Sequence, residues 1–372
     1  MRVVSVDLGS SSVKWGVVDT QAVRILARGQ VGCAAGSLAA EVDAARRAVE
    51  AAAGAYAAET WTLTGQTTSY VLCDRERHPL MAMFWYSMLA RPGGIPGSLK
   101  AAQAAIGAAG GHGLTLWSLR DWVLAELTGL SAEHTDPAEC SALPLAAGGG
   151  APWLGRYRGC VPPWHSLGAV EVAGQSLQVT PGTNDVVADA CWALETGCRC
   201  LVRVGTSTVI ARIGGAPGSG LVAHEIWGGV LVHHDSIASS PGALFPREEP
   251  PDEPSPDGDD VQFAYDPAQG TWAITGIGAF TTPARAAAAA RRALAAEIVG
   301  RVARVGGAQE ATWLLMGGGM SDALAEELAE AGAVPRERAR RTEIPGWEAV
   351  MGAALLVDPR WRERHGIGSG TG

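Results

Sequence analysis

Positive charge is scarce in this sequence: 29 Lys and Arg stand against 38 Asp and Glu, a formal net charge of −9. Phosphate backbones attract clustered Lys and Arg, so the balance excludes nucleic acid as the main partner. Long apolar runs are missing as well. No stretch reaches the length of a membrane span, and the first strand pattern begins at Val3, leaving no room for a secretory signal. The expectation is a cytoplasmic protein with no membrane partner. Cys-x-x-Cys pairs are also absent. The seven cysteines, Cys33, Cys73, Cys140, Cys160, Cys191, Cys198 and Cys200, are scattered and odd in number, which fits reduced thiols better than a disulfide framework. Residues 247–260 are dense in Pro, Asp and Glu, but their spacing matches no EF-hand, and they read as a solvated loop.

What remains is a globular chain of 372 residues, 47% hydrophobic and 18% charged, long enough for two domains. Its most informative stretch runs from Val3 to Asp19, where two valine-rich alternating patterns flank the turn Gly9-Ser10-Ser11-Ser12. Gly9 lets the backbone bend closely around an anion, and the three serines offer the hydroxyl and amide donors that cradle phosphates. A carboxylate at Asp7 would repel a polyphosphate unless a magnesium ion stood between them. Lys14 could neutralise phosphate charge. The pattern recurs at 201–212, where a strand enters Gly205-Thr206-Ser207 and returns. Two such hairpins suggest a duplicated fold gripping one polyphosphate. A third element, Gly317-Gly318-Gly319-Met320-Ser321, follows the apolar run 313–315 and could lie flat against an adenosine.

Between these landmarks the pattern alternates strand and helix. Helices are expected over residues 39–59, 116–127, 185–194, 283–305, 321–331 and 345–356, with a short strand at 61–64. Gly129 ends the second of these helices, and Ser321 caps the fifth. The arginines of 283–305 read as a solvated face. The chain reads as α/β, with a boundary near 195 that separates an N-terminal domain, 1–195, from a C-terminal one, 196–372.

The order of these motifs resembles the FGGY carbohydrate kinases, the xylulokinase and glycerol kinase family of the actin-like ATPase superfamily. The match runs from residue 3 to about residue 356. It takes in Asp7-Leu8-Gly9-Ser10-Ser11-Ser12, Gly65-Gln66, Leu127-Thr128-Gly129, Thr135-Asp136 with Ser141-Ala142, and Gly182-Thr183-Asn184-Asp185. It continues through Gly205-Thr206-Ser207, Gly317-Gly318-Gly319-Met320-Ser321 and the closing helix at 348–354. The resemblance implies two actin-like, ribonuclease H-like domains with ATP, magnesium and substrate in a cleft between them. It also implies transfer of the terminal phosphoryl group to the hydroxyl of a small sugar, polyol or cyclitol-like molecule. Asp185 matches the family's catalytic base, with Asp189 one turn on as the fallback. Gln66, Thr67, Thr68, Trp85 and Asn184 fall on the substrate side.

Departures cluster on that side. Where relatives carry a polar or charged pair after Gly-Gln and a Trp-x-Asp-x-Arg run, this chain has Thr67, Thr68 and Trp85-Tyr86-Ser87-Met88-Leu89. A shift of one or two residues would let Arg91 fill the arginine's place. Val186 follows the base, Thr275-Gly276 replaces an acid-glycine pair, and most of the shortening lies around 214–270. Two other readings stand beside the kinase: a non-catalytic nucleotide or ligand sensor, and an ATPase coupled to conformational change. Both Asp7 and Asp185 are retained, which favours the enzyme. The oligomeric state is left open, with a homodimer as one option.

Overall fold

The structure, a computed structural model, describes residues 1–74, 76–89, 104, 114–130, 134–138, 159–215, 221–238, 261–267, 271–275, 283–306 and 311–368. Cys140, Ser141-Ala142, Arg91, Gly276 and the acid-rich 247–260 lie outside the described residues, as does the side chain of Leu89. Two compact units emerge. The first takes in Met1–Trp192, Ala223–Val232 and Trp347–Gly372, the second Ala193–Val222 and His233–Gly346. The break after Trp192 lies three residues before the expected one at 195, and the closing segment packs with the first unit, a return that a single linear boundary does not express.

Chain order begins with β1 (Arg2–Leu8), β2 (Ser12–Asp19), β3 (Arg24–Gly32), α1 (Leu38–Ala55), β4 (Thr60–Gly65), β5 (Tyr70–Cys73), β6 (Pro79–Met83) and α2 (Trp85–Leu89). It goes on through β7 (Thr115–Ser118), α3 (Leu119–Thr128), β8 (His134–Thr135), β9 (Gly159–Cys160), β10 (Gly168–Val172), β11 (Gln175–Asn184) and α4 (Asp185–Glu195). The first unit's main sheet has the order β10-β11-β4-β1-β2-β3. Strands β1, β2 and β3 form an antiparallel meander, while β4 and β11 add in parallel on the other side. Val4, Val6 and Leu8 share one side of β1 and pack against Ala44, Ala45, Ala48 and Val49 of α1. An alanine face lets that helix lie close to the sheet, and Ser37 caps it by accepting the Ala40 N–H at 3.3 Å.

The remainder comprises β12 (Cys200–Val204), β13 (Thr208–Ile213), β14 (Val222–Trp227), β15 (Val230–Ile237), β16 (Gln262–Asp266), β17 (Thr271–Thr275), α5 (Pro283–Val305), β18 (Trp313–Met316) and α6 (Asp322–Glu330). Then come β19 (Ala339–Arg341), α7 (Glu348–Val357) and α8 (Pro359–Arg364). The second sheet runs β14-β15-β13-β12-β18-β19. Read from β19, it repeats the first: a hairpin, β12 with β13, followed by parallel additions of β18 and β19. Its core joins Val202 and Val204 of β12 to Leu294, Ile298 and Val302 of α5. The fold is thus α/β and duplicated.

Several expectations change. The helix expected from 116 starts at Leu119, because residues 115–118 pair with β5 as an antiparallel strand and Ser118 caps α3 through the Asp121 N–H at 3.1 Å. Strands β14, β15 and β16 occupy the stretch where the sequence signal is weakest. Arg301 does not sit on a solvated face; it is buried, 3.7 Å from Asp235 and 5.3 Å over the ring of Tyr265. Cys160 is in a disulfide, contrary to an all-reduced set, while Cys33, Cys73, Cys191, Cys198 and Cys200 are free. Sequence spacing carries no record of which cysteines meet in space. Among the described residues, no helix is long and apolar enough to cross a membrane.

Candidate active site

Asp7, the last residue but one of β1, is half-buried, opposite Lys14 of β2 and alongside Thr64 of β4. The chain then turns tightly, with the Gly9 N–H donating to the Ser12 carbonyl at 3.1 Å. A Cβ on Gly9 would fall 2.7 Å from that same carbonyl, so the turn needs glycine. Ser10, Ser11 and Ser12 form the rim, and the Ser11 carbonyl is tied down by the Cys33 N–H at 3.2 Å. A second tie, from the Gln66 N–H to the Leu8 carbonyl at 3.2 Å, brings the Gly65-Gln66 turn beside the hairpin.

The same turn reaches Asp185. Thr67 donates twice to Asp185 Oδ1, from its N–H at 3.2 Å and its hydroxyl at 2.5 Å. Thr67, expected on the substrate side, also holds the candidate base, across 118 residues of chain. Helix capping falls to Asn184, whose Oδ1 accepts the Val187 N–H at 3.0 Å, so Asp185 is not the cap. Thr68 has φ +65, an outlier for a β-branched residue, and its hydroxyl donates to the Thr67 carbonyl at 2.6 Å. Such strain, of order 1–3 kcal/mol, is typical of residues held for function. Gln66 is buried, Trp85 opens α2 half-buried, and the Trp85 ring meets Tyr86 edge-on at 5.6 Å.

One neighbour escaped the sequence. His224 is fully buried, its Nδ1 3.1 Å from the Ala138 carbonyl and 3.4 Å from Asn184 Nδ2. Burial holds the imidazole below its usual value of 6.5, against weaker upward pulls from the Ala138 carbonyl and Asp185. A neutral ring suits a site where Nδ1–H donates to a carbonyl. Because the folded protein binds this proton less readily than the unfolded chain, stability should fall as pH drops below about 6.5. His224→Gln should flatten that acid limb in thermal melts, and an unchanged limb would show that His224 does not shape it.

The Thr135-Asp136 motif serves the framework. Buried Arg120 pairs with Asp121 at 2.7 Å and Asp136 at 2.9 Å, and the Thr135 hydroxyl donates to Asp121 at 2.6 Å. Removing one partner of such a knot is far costlier than never having built it.

In the second unit the Gly205 N–H closes on the Ser207 carbonyl at 2.9 Å, with Thr206 exposed at the tip. The glycine loop has a packing reason of its own. A Cβ on Gly317 would stand 2.3 Å from the Val204 carbonyl, and the Gly319 N–H donates to that carbonyl at 2.9 Å. The third element is therefore pinned to the strand that feeds the Gly205-Thr206-Ser207 hairpin. Gly318 is exposed, and the Ser321 hydroxyl accepts the Leu324 N–H at 3.1 Å as the cap of α6. Arg341, also unforeseen, donates to the Met320 and Ser321 carbonyls at 2.6 and 2.8 Å.

Magnesium commonly takes one or two carboxylates and completes its shell with water and substrate phosphates. Asp7 beside a serine-rich turn fits that habit. Among the described residues, the cluster with ligand atoms already gathered is Asp74, Glu76 and His78, where Asp74 is committed to the His78 N–H at 2.8 Å in a hairpin turn.

No family model matches the chain, and no curated protein matches its sequence. Solved structures do match over nearly its whole length. A gluconate kinase from Lactobacillus acidophilus is 11% identical with a TM-score of 0.66, covering 99% of this chain and 90% of its own. A xylulose kinase from Rhodospirillum rubrum is 16% identical with a TM-score of 0.62, covering 100% and 91%. Plasmodium falciparum glycerol kinase, solved with ADP, is 12% identical with a TM-score of 0.63, covering 95% and 88%. The chain has the two-domain, actin-like fold of the sugar kinases.

Proposed function

We propose that this chain is an ATP-dependent kinase of the FGGY type. It moves the terminal phosphoryl group of ATP to a hydroxyl of a small sugar, polyol or cyclitol-like molecule. The observation that carries the reading is the double donation of Thr67 to Asp185 Oδ1 beside the Gly65-Gln66 turn. It fixes one carboxylate oxygen and orients the group to take a hydroxyl proton. Phosphoryl transfer asks little more of a protein than positioning, charge neutralisation and one such base.

In this reading Gly9, Ser10, Ser11, Ser12 and Lys14 hold phosphate from the first unit. Gly205, Thr206, Ser207 and the loop Gly317, Gly318, Gly319 and Ser321 serve phosphate and adenosine from the second. Gln66, Thr68, Trp85 and Asn184 shape the acceptor side. Asp7 would hold magnesium, which supplies neutralisation of charge on the phosphate oxygens. Asp7→Ala should therefore weaken magnesium-dependent ATP binding and activity together. Calorimetry showing unchanged magnesium-ATP binding, with activity intact, would make the hairpin purely structural.

The deciding experiment is a screen of ATP consumption across sugars, polyols, cyclitols and nucleosides, with product analysis. A phosphorylated acceptor supports the kinase, free phosphate alone supports an ATPase, and nucleotide binding without turnover supports a sensor. Xylulose and glycerol should be poor acceptors, because Thr67, Thr68, Ser87 and Leu89 stand in place of the family's charged or polar groups, and absent partners for buried hydroxyls are costly. A kcat/KM of about 10⁴ M⁻¹s⁻¹ or more for either would overturn that expectation.

A further inference from the structure

Glu41, in the first turn of α1, is fully buried, and neither of its carboxyl oxygens has a hydrogen-bond partner among the described residues. A buried carboxyl without a partner is costly and calls for an explanation. Two polar side chains stand beside it, the Cys33 thiol and the Gln66 amide. Gln66 Nε2 is itself buried without an acceptor. An orphaned donor and an orphaned acceptor thus lie side by side.

Both neighbours are anchored at the site. The Cys33 N–H holds the Ser11 carbonyl, and the Gln66 N–H holds the Leu8 carbonyl. The other end of the Gln66 amide is engaged: Oε1 accepts the Ser69 hydroxyl at 3.1 Å, and Ser69 Oγ accepts the Trp85 N–H at 3.1 Å. An amide can be turned either way, and turned over it would offer Nε2 to Ser69 instead. A carboxyl beside Nε2 decides between the two.

We propose that Glu41 is a positioning residue: by accepting from Gln66 Nε2 it fixes that amide and, through Ser69, the start of helix α2 on the acceptor side of the site. The proposal rests on the reading of Gln66 and Trp85 given above. The titratable groups facing Glu41 are Cys33 from the end of β3 and Tyr86 from α2, with Arg47 farther along α1 acting on Cys33. Burial pushes the Glu41 carboxyl up to about 7, while Cys33 and then Gln66 pull the other way. Burial, then the charge of Glu41, pushes the Cys33 thiol up to about 12, and burial raises the Tyr86 phenol, whose oxygen accepts the Gly36 N–H at 2.8 Å. Of these groups, Glu41 is the one that changes charge near neutrality, and its ionised form is the stronger acceptor for Nε2.

The test combines nuclear magnetic resonance of the full chain with steady-state kinetics on wild type, Glu41→Gln and Glu41→Leu. The backbone amide resonance of Trp85 should move with pH around a midpoint near 7 in wild type and lose that step in both variants. With an acceptor in hand, Glu41→Leu should raise its KM by roughly 10-fold, the worth of one lost buried hydrogen bond, and leave the KM for ATP within about 2-fold. Glu41→Gln, which keeps an oxygen acceptor, should restore most of that loss. A Trp85 resonance with the same pH course in Glu41→Gln overturns the proposal, as does an equal rise in both KM values. Should Glu41→Leu fail to fold, the Glu41→Gln comparison decides. Should wild type phosphorylate no acceptor, the kinase reading falls on its own, and the Trp85 resonance still judges Glu41.

Discussion

Asp185→Asn should yield a folded protein whose turnover is lower by roughly 10²- to 10⁴-fold. The substitution keeps the side chain's shape, and an asparagine Oδ1 still accepts from the N–H and hydroxyl of Thr67. Helix α4 keeps its cap, because that role belongs to Asn184. What disappears is the ability to take a proton from an attacking hydroxyl as transfer proceeds. ATP affinity should change little, since the residues assigned to phosphate and adenosine lie elsewhere. Steady-state kinetics and ATP calorimetry on the same preparation separate these effects. Near-normal turnover would remove Asp185 from the mechanism and bring Asp189 forward.

Gly182→Ala should be among the most damaging single-methyl changes in the first unit. Gly182 has φ +70 and stands where β11 slips register against β4, between Thr180 and Thr183. A Cβ there would sit 1.9 Å from the Leu63 carbonyl, a backbone atom with little room to move. The left-handed conformation costs a non-glycine residue about 1–2 kcal/mol, and overpacking adds about 1–3 kcal/mol. For a unit of this size a loss near 3 kcal/mol lowers Tm by roughly 6–12 °C. The bulge also aims Asn184 and Asp185, so activity should fall beyond what unfolding explains. A melt within about 1 °C of wild type would mean that the turn relaxes more easily than its geometry indicates.

How far the sequence discloses such features depends on the range of the interaction. The hairpin of β1 and β2 is legible because alternating valines and the Gly-Ser turn are local signals, and the same holds for α5, found at Pro283–Val305 as expected. The start of α3 is not, since residues 116–118 are apolar enough for either period and only pairing with β5 decides. Past exposed Val222, strand β14 alternates half-buried with buried residues, and β16 alternates exposed with half-buried ones, so neither segment carries much hydrophobic contrast. At the site, residue types could be placed, but partnerships could not. Thr67 meets Asp185 across 118 residues, and His224 reaches Asn184 across 40. The glycines at 317 and 319 are expected to make room for a ligand, and close contact with Val204 gives them a packing reason that the sequence does not show. Arg301 is buried because Asp235 and Tyr265 arrive from distant strands.

The route of the chain has a consequence for biosynthesis. All ten residues of α7 are buried, and the helix packs so tightly that a Cβ on Gly352 would stand 1.7 Å from the Ala188 carbonyl of α4. This helix belongs to the first unit, yet it leaves the ribosome only after every residue of the second. During translation, then, the N-terminal half must wait with one face of its sheet uncovered, while the inserted unit, already whole, is free to fold ahead of it. Nascent chains in which a flexible linker long enough to span the exit tunnel replaces the residues from 347 onward should protect the second unit from protease and leave residues 1–192 open to cleavage. A stretch made after the second unit would act as the latch for the first.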